Sequence, residues 1–226
     1  HTRSFHVTEF RRVLFRSSST GGFASLYANT KVDFLDIDAG ISAGIQRNND
    51  TRFVNDNLKW WGISYANSKY DSQWVSPSIK LGIPIALGSG FVASPNVQVA
   101  YTYNHIDGYT ETGSNSNATF RNQDIGVVES KIALDLSQTI DELKATVTLG
   151  YLNRDIVSGD SVNVTMIGDT HDVNSHYQTL NAGFVRAGLR WDLSDDLALN
   201  LAGTYMQGTR EGTNGGNGNL TLQYKF

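Results

Sequence analysis

Hydrophobic and polar residues alternate one for one along most of the chain, which is the period of a β-strand with one apolar and one wet face. The last run is the clearest. Leu220, Leu222, Tyr224 and Phe226 fall on one side, Asn219, Thr221, Gln223 and Lys225 on the other. Upstream, Ile37, Ala39, Ile41, Ala43 and Ile45 oppose Asp38, Gly40, Ser42, Gly44 and Gln46, and Val97, Val99, Tyr101 and Tyr103 oppose Gln98, Ala100, Thr102 and Asn104. Read in this way, the pattern predicts about ten strands, over 23–32, 37–46, 58–67, 74–87, 97–104, 128–136, 143–151, 184–193, 197–205 and 219–226.

The chemistry of the two faces narrows the fold. One face is Leu, Val, Ile and aromatic throughout. The other carries Lys80, Glu129, Lys131, Asp135, Lys144, Arg186, Arg190 and Asp192, which need water or mutual pairing. A soluble sandwich produces the same alternation with its apolar face in the core. Strands of about ten residues, aromatics near strand ends, and alternating connection lengths favour a membrane barrel instead. Connections near 88–90, 138–141 and 194–196 are tight, whereas those near 107–118, 155–174 and 208–218 are long. The expected fold is therefore all-β, an antiparallel transmembrane up-and-down β-barrel. One region conflicts with this layout: the connections drawn at 47–57 and 67–73 have their lengths on the wrong ends, so a strand there is misdrawn.

Composition agrees and excludes alternatives. Apolar residues make up 39 % of the 226, mean hydropathy is −0.30, and no stretch approaches the ~18 unbroken apolar residues of a spanning helix. There is no cysteine, hence neither a disulfide framework nor thiol chemistry. A net charge of −4 leaves no basic footprint, so nucleic acid is not an expected partner. Residues 1–19 differ in kind, with Arg3, Arg11, Arg12 and Arg16 against the single acid Glu9 and no apolar core of a secretory signal. We set them apart as an unrelated leader and assign the barrel to 20–226.

The closing strand and its terminal Phe226 resemble the insertion signal of Gram-negative outer-membrane barrels. Three stretches carry a wider resemblance: Val75-Ser76-Pro77-Ser78-Ile79-Lys80-Leu81-Gly82, then Gly90-Phe91-Val92-Ala93-Ser94-Pro95-Asn96-Val97-Gln98-Val99-Ala100-Tyr101 leading to Gly108-Tyr109-Thr110-Glu111-Thr112-Gly113, and the last strand itself. Together they resemble the C-terminal translocator domain of autotransporters, the type V secretion systems. The resemblance implies a 12-stranded barrel threaded by a helix, which anchors an N-terminal passenger and exports it to the cell surface. Its implied partners are outer-membrane lipid and lipopolysaccharide, the barrel-assembly machinery and the passenger. The visible chain departs from that pattern in lacking the pore helix and two strands.

Candidate residues follow from both readings. Leu220, Leu222, Tyr224 and Phe226 form the expected assembly signal; Tyr109, Glu111 and Gly113 form a family-like loop edge, with a plain glycine turn and girdle tyrosine as the alternative. The eight inward charges named above line a lumen, where they either face a passing peptide or ion, or simply pair across strands. Two other functions stay open: a stand-alone porin-like channel, and an omptin-like protease built on Asp169, His171, Asp172 and His176. The paired carboxylates that such a protease also needs have no counterpart in the sequence, and His171 and His176 lack a third placed ligand for a metal. We expect no catalytic residues, no metal and no cofactor.

Overall fold

The computed structural model describes residues 15–56, 58–60, 62–159, 161–174, 179–194, 196–209 and 213–224. Among the described residues the chain forms fourteen β-strands and no helix. They are β1 Phe15–Val32, β2 Leu35–Asn55, β3 Ile63–Gly82, β4 Ile85–Gly88, β5 Phe91–Ile106, β6 Tyr109–Thr110, β7 Ala118–Phe120, β8 Gln123–Ile140, β9 Leu143–Ser158, β10 Ser161–Met166, β11 Asp169–Asn174, β12 Leu180–Asp192, β13 Leu197–Gly208 and β14 Asn214–Tyr224.

The main sheet runs β1-β2-β3-β5-β8-β9-β12-β13-β14, with each pair antiparallel, and β4 adds to β5 where Pro84 interrupts the end of β3. Sequence neighbours are space neighbours throughout, so the order is up-and-down, and the sheet curls as a half-barrel. Register fixes the faces. Ile41 pairs with Pro77 and Leu26, and Leu201 with Leu189 and Leu220, all on the outward side. Asp38 pairs with Lys80, and Lys131 with Gln98, on the inward side. The outward apolar residues are the exposed ones: Ile45 is 69 % and Ile132 67 % accessible. A sheet in water would not leave so continuous an apolar face uncovered, whereas lipid supplies the missing cover.

The main sheet has ten strands, as expected in number, but the strand boundaries are corrected: the two drawn at 58–67 and 74–87 are one, β3 with its β4 continuation, and β4 is the tenth strand, paired to β5 off the main path. The residues read as connections at 47–57 and 67–73 are largely strand, paired across β2 and β3 from Arg47↔Asp71 to Asn55↔Ile63. They are polar on both faces because they project beyond the apolar band. Residues 15–19, set apart with the leader, lie in β1 opposite Arg52 to Asn48.

The two ends differ as the alternation implied. Tight turns at Asp33, Ser89 and Asp141 hold those residues at φ of 51–55°, the left-handed region that Asp and Ser enter at modest cost in a turn. At the opposite end the connections after β5 and β9 fold into a second sheet, ordered β11-β10-β7-β6. The loop expected at 155–174 is thus largely strand, while 107–118 contributes only the short β6 and the start of β7, and the two segments pair through Val164↔Phe120 and its neighbours.

Candidate functional site

The inward face of β3, β5, β8, β9, β12 and β13 encloses a cavity of about 580 Å³. Seven of the eight inward charges named from the sequence line it: Lys80, Glu129, Lys131, Asp135, Lys144, Arg186 and Arg190. The period of two places them there, since each sits at an inward position of its strand. Asp192, the eighth, lies just outside the lining and binds Arg190 at 2.8 Å.

Pairing within the cavity is partial. Asp135 accepts from Lys80 Nζ at 3.0 Å, Asn96 Nδ2 at 3.0 Å and Thr148 Oγ1 at 2.6 Å, which uses both carboxylate oxygens. Glu129 is shared by Lys131 at 2.6 Å and the Arg154 guanidinium, whose Nε donates at 2.9 Å. Arg190 also donates to Gln223 at 3.2 Å. Lys144 and Arg186 have no ion-pair partner among the described residues. With Arg154 counted, six cations face three carboxylates on this wall. The surplus makes this stretch of the inner wall locally cationic. Arg154 was missed in the sequence because its strand was ended at Tyr151, although Lys144, Thr146, Thr148 and Gly150 already pointed to it by alternation.

The outer mouth forms a second centre. Tyr109 on β6 stacks between Tyr70 of β3, with ring centroids 4.3 Å apart, and Phe120 of β7, 4.6 Å away. Tyr70 donates its hydroxyl to Asp50 at 2.8 Å. Burial and the nearby Asp50 and Glu111 charges push the Tyr109 phenol up to about 12. Glu111 is only 5 % accessible. It accepts from Arg52 Nε at 3.0 Å and Nη2 at 2.5 Å, and from the Ala118 amide at 2.8 Å. Burial alone would raise the carboxyl's pKa, but these donors outweigh it and hold the group below the ordinary glutamate value. Arg52 reaches on to the Ser116 carbonyl at 2.9 Å. Backbone bonds of 2.8 Å in both directions join Asn67 to Thr112. Gly113 takes φ +95°, and a Cβ there would meet the Tyr65 carbonyl oxygen at 2.8 Å, so only glycine lets the loop lie this close to β3. Tyr109, Glu111 and Gly113 are therefore brought together as parts of one docking between the 107–122 segment and the wall. Arg52, Tyr70 and Asp50 were missed because all three fell in stretches read as connections, 47–57 and 67–73.

The remaining candidates are dispersed. Leu220, Leu222 and Tyr224 lie exposed on the outward side of β14, opposite Leu201, Leu199 and Leu197; Phe226 lies outside the described residues. Asp169, His171 and Asp172 are exposed on β11, and His176 lies outside the described residues. Among the described residues no three His, Asp or Glu side chains converge on a metal-sized site.

Comparison with known proteins adds to this geometry. The family profile described as Autotransporter beta-domain matches residues 7–221. No curated protein matches the sequence significantly. Among solved structures, the translocator domain of the autotransporter NalP from Neisseria meningitidis superposes with a TM-score of 0.68 at 16 % identity, covering 93 % of this chain and 68 % of that one. The transport unit of the autotransporter AIDA-I from Escherichia coli gives a TM-score of 0.41 at 11 % identity, over 94 % of this chain and 84 % of that one. The outer membrane protease OmpT from Escherichia coli gives 0.32 at 11 % identity, over 100 % of this chain and 99 % of that one.

Proposed function

The chain belongs to the autotransporter β-domain family, and from that premise we propose that its inward wall is the route by which an N-terminal passenger leaves the cell. The domain is an outer-membrane translocator barrel; the passenger, its passage and the residues that guide it are our reading. The observation that carries this reading is the pairing of faces on one sheet: a continuous apolar exterior and, behind it from β3 to β13, a wall with six cations against three carboxylates. An unfolded segment offers backbone carbonyls and acidic side chains to the cations of such a surface.

The same reading gives roles to the other candidates. Leu220, Leu222, Tyr224 and Phe226 would be read by the barrel-assembly machinery as the last strand is laid down. The 107–122 segment, docked through Glu111, would border the exit without filling the cavity. Lipopolysaccharide would surround the polar outer ends of β2 and β3.

The test is export. The full-length protein, carrying an epitope on its passenger, is produced in a Gram-negative host, and epitope exposure on intact cells is read by antibody and by added protease. We expect surface exposure that falls when Lys144 and Arg186 are both changed to Glu, with the barrel still heat-modifiable on gels. A barrel that assembles while the epitope stays in the periplasm overturns the export reading. Deleting Phe226 should reduce the heat-modifiable barrel severalfold, and unchanged assembly removes that residue's role. Ion conductance through a purified barrel that exports nothing would favour the porin-like channel.

A further inference from the structure

The inner wall of β9, β12 and β13 holds cations that no carboxylate serves. At their centre is Gly188 of β12, which pairs with Thr146 of β9 on one side and Ala202 of β13 on the other. All three positions line the cavity of about 580 Å³. An added Cβ at Gly188 would meet nothing nearer than 3.8 Å, so these small residues form the floor of an open hollow.

The rim of the hollow is basic. Arg186 and Arg190 stand two residues from Gly188 in either direction along β12, about 7 Å away at the usual strand rise. Lys144 pairs directly with Arg190 across β9 and β12, and like charges set opposite each other destabilise an antiparallel pair. Asp192 relieves one of the two: it holds Arg190 at 2.8 Å, Gln223 takes a further donor at 3.2 Å, and this guanidinium is thereby turned toward the tight-turn end of the barrel. The other carboxylate nearby is Asp135, which pairs with Thr148 from β8. Both of its oxygens are already used by Lys80, Asn96 and Thr148. Lys144 and Arg186 are left as two positive charges beside the hollow with no counter-charge among the described residues. Neutral donors lie between them. Thr146 is on the floor, Thr204 pairs with Arg186, and neither hydroxyl makes another hydrogen bond among the described residues.

We propose that this hollow binds one phosphate dianion, free or as the monoester of a larger solute. The oxyanion sits over Gly188, where the Arg186 guanidinium donates to two of its oxygens and the Lys144 ammonium to a third, with the hydroxyls of Thr146 and Thr204 at its edge. Charge decides the class of ligand. Two unserved cations match a doubly charged anion, whereas a single carboxylate would leave one of them unmet. Lys144 is the second residue of β9, so the hollow lies by the tight-turn mouth, where solutes on that side of the membrane reach it without crossing the barrel. The site needs a wetted inner wall and does not depend on the export of a passenger.

Isothermal titration calorimetry of the full-length protein in non-ionic detergent tests the hollow, with inorganic phosphate, glycerol phosphate and acetate titrated in parallel at constant ionic strength in chloride. We expect one phosphate per chain, held several-fold more tightly than acetate. Binding of either phosphate compound supports the site, and the tighter of the two names its source. Arg186→Gln and Lys144→Gln should each weaken phosphate about tenfold, the scale of one hydrogen bond to a charged group. Lys69→Gln, on the outward face of β3, should leave it unchanged. Each inner-wall variant exchanges one wetted polar side chain for another, and heat-modifiability on gels reports the fold, so either stands if the other fails to assemble. Phosphate held no more tightly than acetate, or held equally well by an assembled Arg186→Gln or Lys144→Gln barrel, overturns the proposal. A chain that exports its passenger but binds no phosphate defeats the hollow alone, whereas one that binds phosphate and exports nothing keeps the hollow and defeats the export reading.

Discussion

The β2–β3 hairpin and the β12–β14 strands are built on the same alternation and end differently. β2 has 21 residues and β13 has 12. At roughly 3.3 Å per residue and a tilt of about 40°, the first covers about 50 Å and the second about 30 Å, against a hydrocarbon core of about 30 Å. β13 therefore stops where the lipid stops, while β2 and β3 stand well clear of it. The second sheet gathers on that projection, joined to it by the Asn67–Thr112 bridge, the Tyr70–Tyr109 stack and the Arg52–Glu111 pair. A loop orders where the wall gives it something to lean on, and the wall gives this only where it overshoots the membrane.

The sharpest way to break the comparison is to remove the ion pair. Arg52→Leu leaves a nearly buried Glu111 carboxylate with only the Ala118 amide, and we expect the docked 107–122 segment to lose about 3 kcal/mol. Hydrogen exchange should show faster opening of those amides with β13 and β14 unchanged. The double variant Arg52→Met with Glu111→Met should recover most of the loss, since two apolar side chains leave no orphaned charge.

A matched pair of glycine substitutions compares the walls themselves. At Gly44 an added Cβ would lie 2.8 Å from the Trp74 ring and 3.0 Å from the Gly22 carbonyl oxygen. At Gly188 the nearest atoms are 3.8 Å away. Gly44→Ala should cost about 2 kcal/mol in overpacking and Gly188→Ala about 0.5 kcal/mol or less, read as urea midpoints of barrels folded in vesicles. Equal midpoints would mean that the ring-over-glycine packing of the N-terminal wall contributes nothing. Smaller again is the stack: a double-mutant cycle of Tyr70→Leu and Tyr109→Leu should give a coupling of about 1 kcal/mol in the exchange of 107–122.

The same contrast explains which parts were legible in the sequence. From Leu143 to Tyr151 and from Phe184 to Leu193 the alternation is unbroken, and both faces came out as the register has them. Beyond the apolar band the period vanishes, because water replaces lipid on the outer face and nothing selects apolar residues. Asn48-Asn49-Asp50 and Asn67-Ser68-Lys69 therefore read as loops while forming strand, and one strand was counted as two. The second sheet escaped for the same reason: Asp169, Thr170, His171 and Asp172 are polar whichever way they point. Glu111 was reached only through a family resemblance. Its partner Arg52 is 59 residues distant in a stretch that had been read as a connection, and no local pattern joins the two.

Acid should separate the two regions without any mutation. The Glu111 carboxyl is held below its ordinary value of 4.5, against its burial, by Arg52 and the Ala118 amide. A carboxyl whose folded pKa lies below its unfolded one stabilises the fold fully above the unfolded value, and loses that contribution as pH falls through the folded value. Docking of 107–122 should thus hold at pH 6 and weaken progressively below about 4.5. β13 and β14 carry no carboxylate, histidine, lysine or arginine along their whole length. Protons have nothing to titrate there, so their opening, corrected for intrinsic exchange, should stay flat over the same window. If both regions loosen together on acidification, the docked segment opens with the barrel as one unit, and the projection of β2 and β3 is part of the wall's stability as well as a platform for the loops.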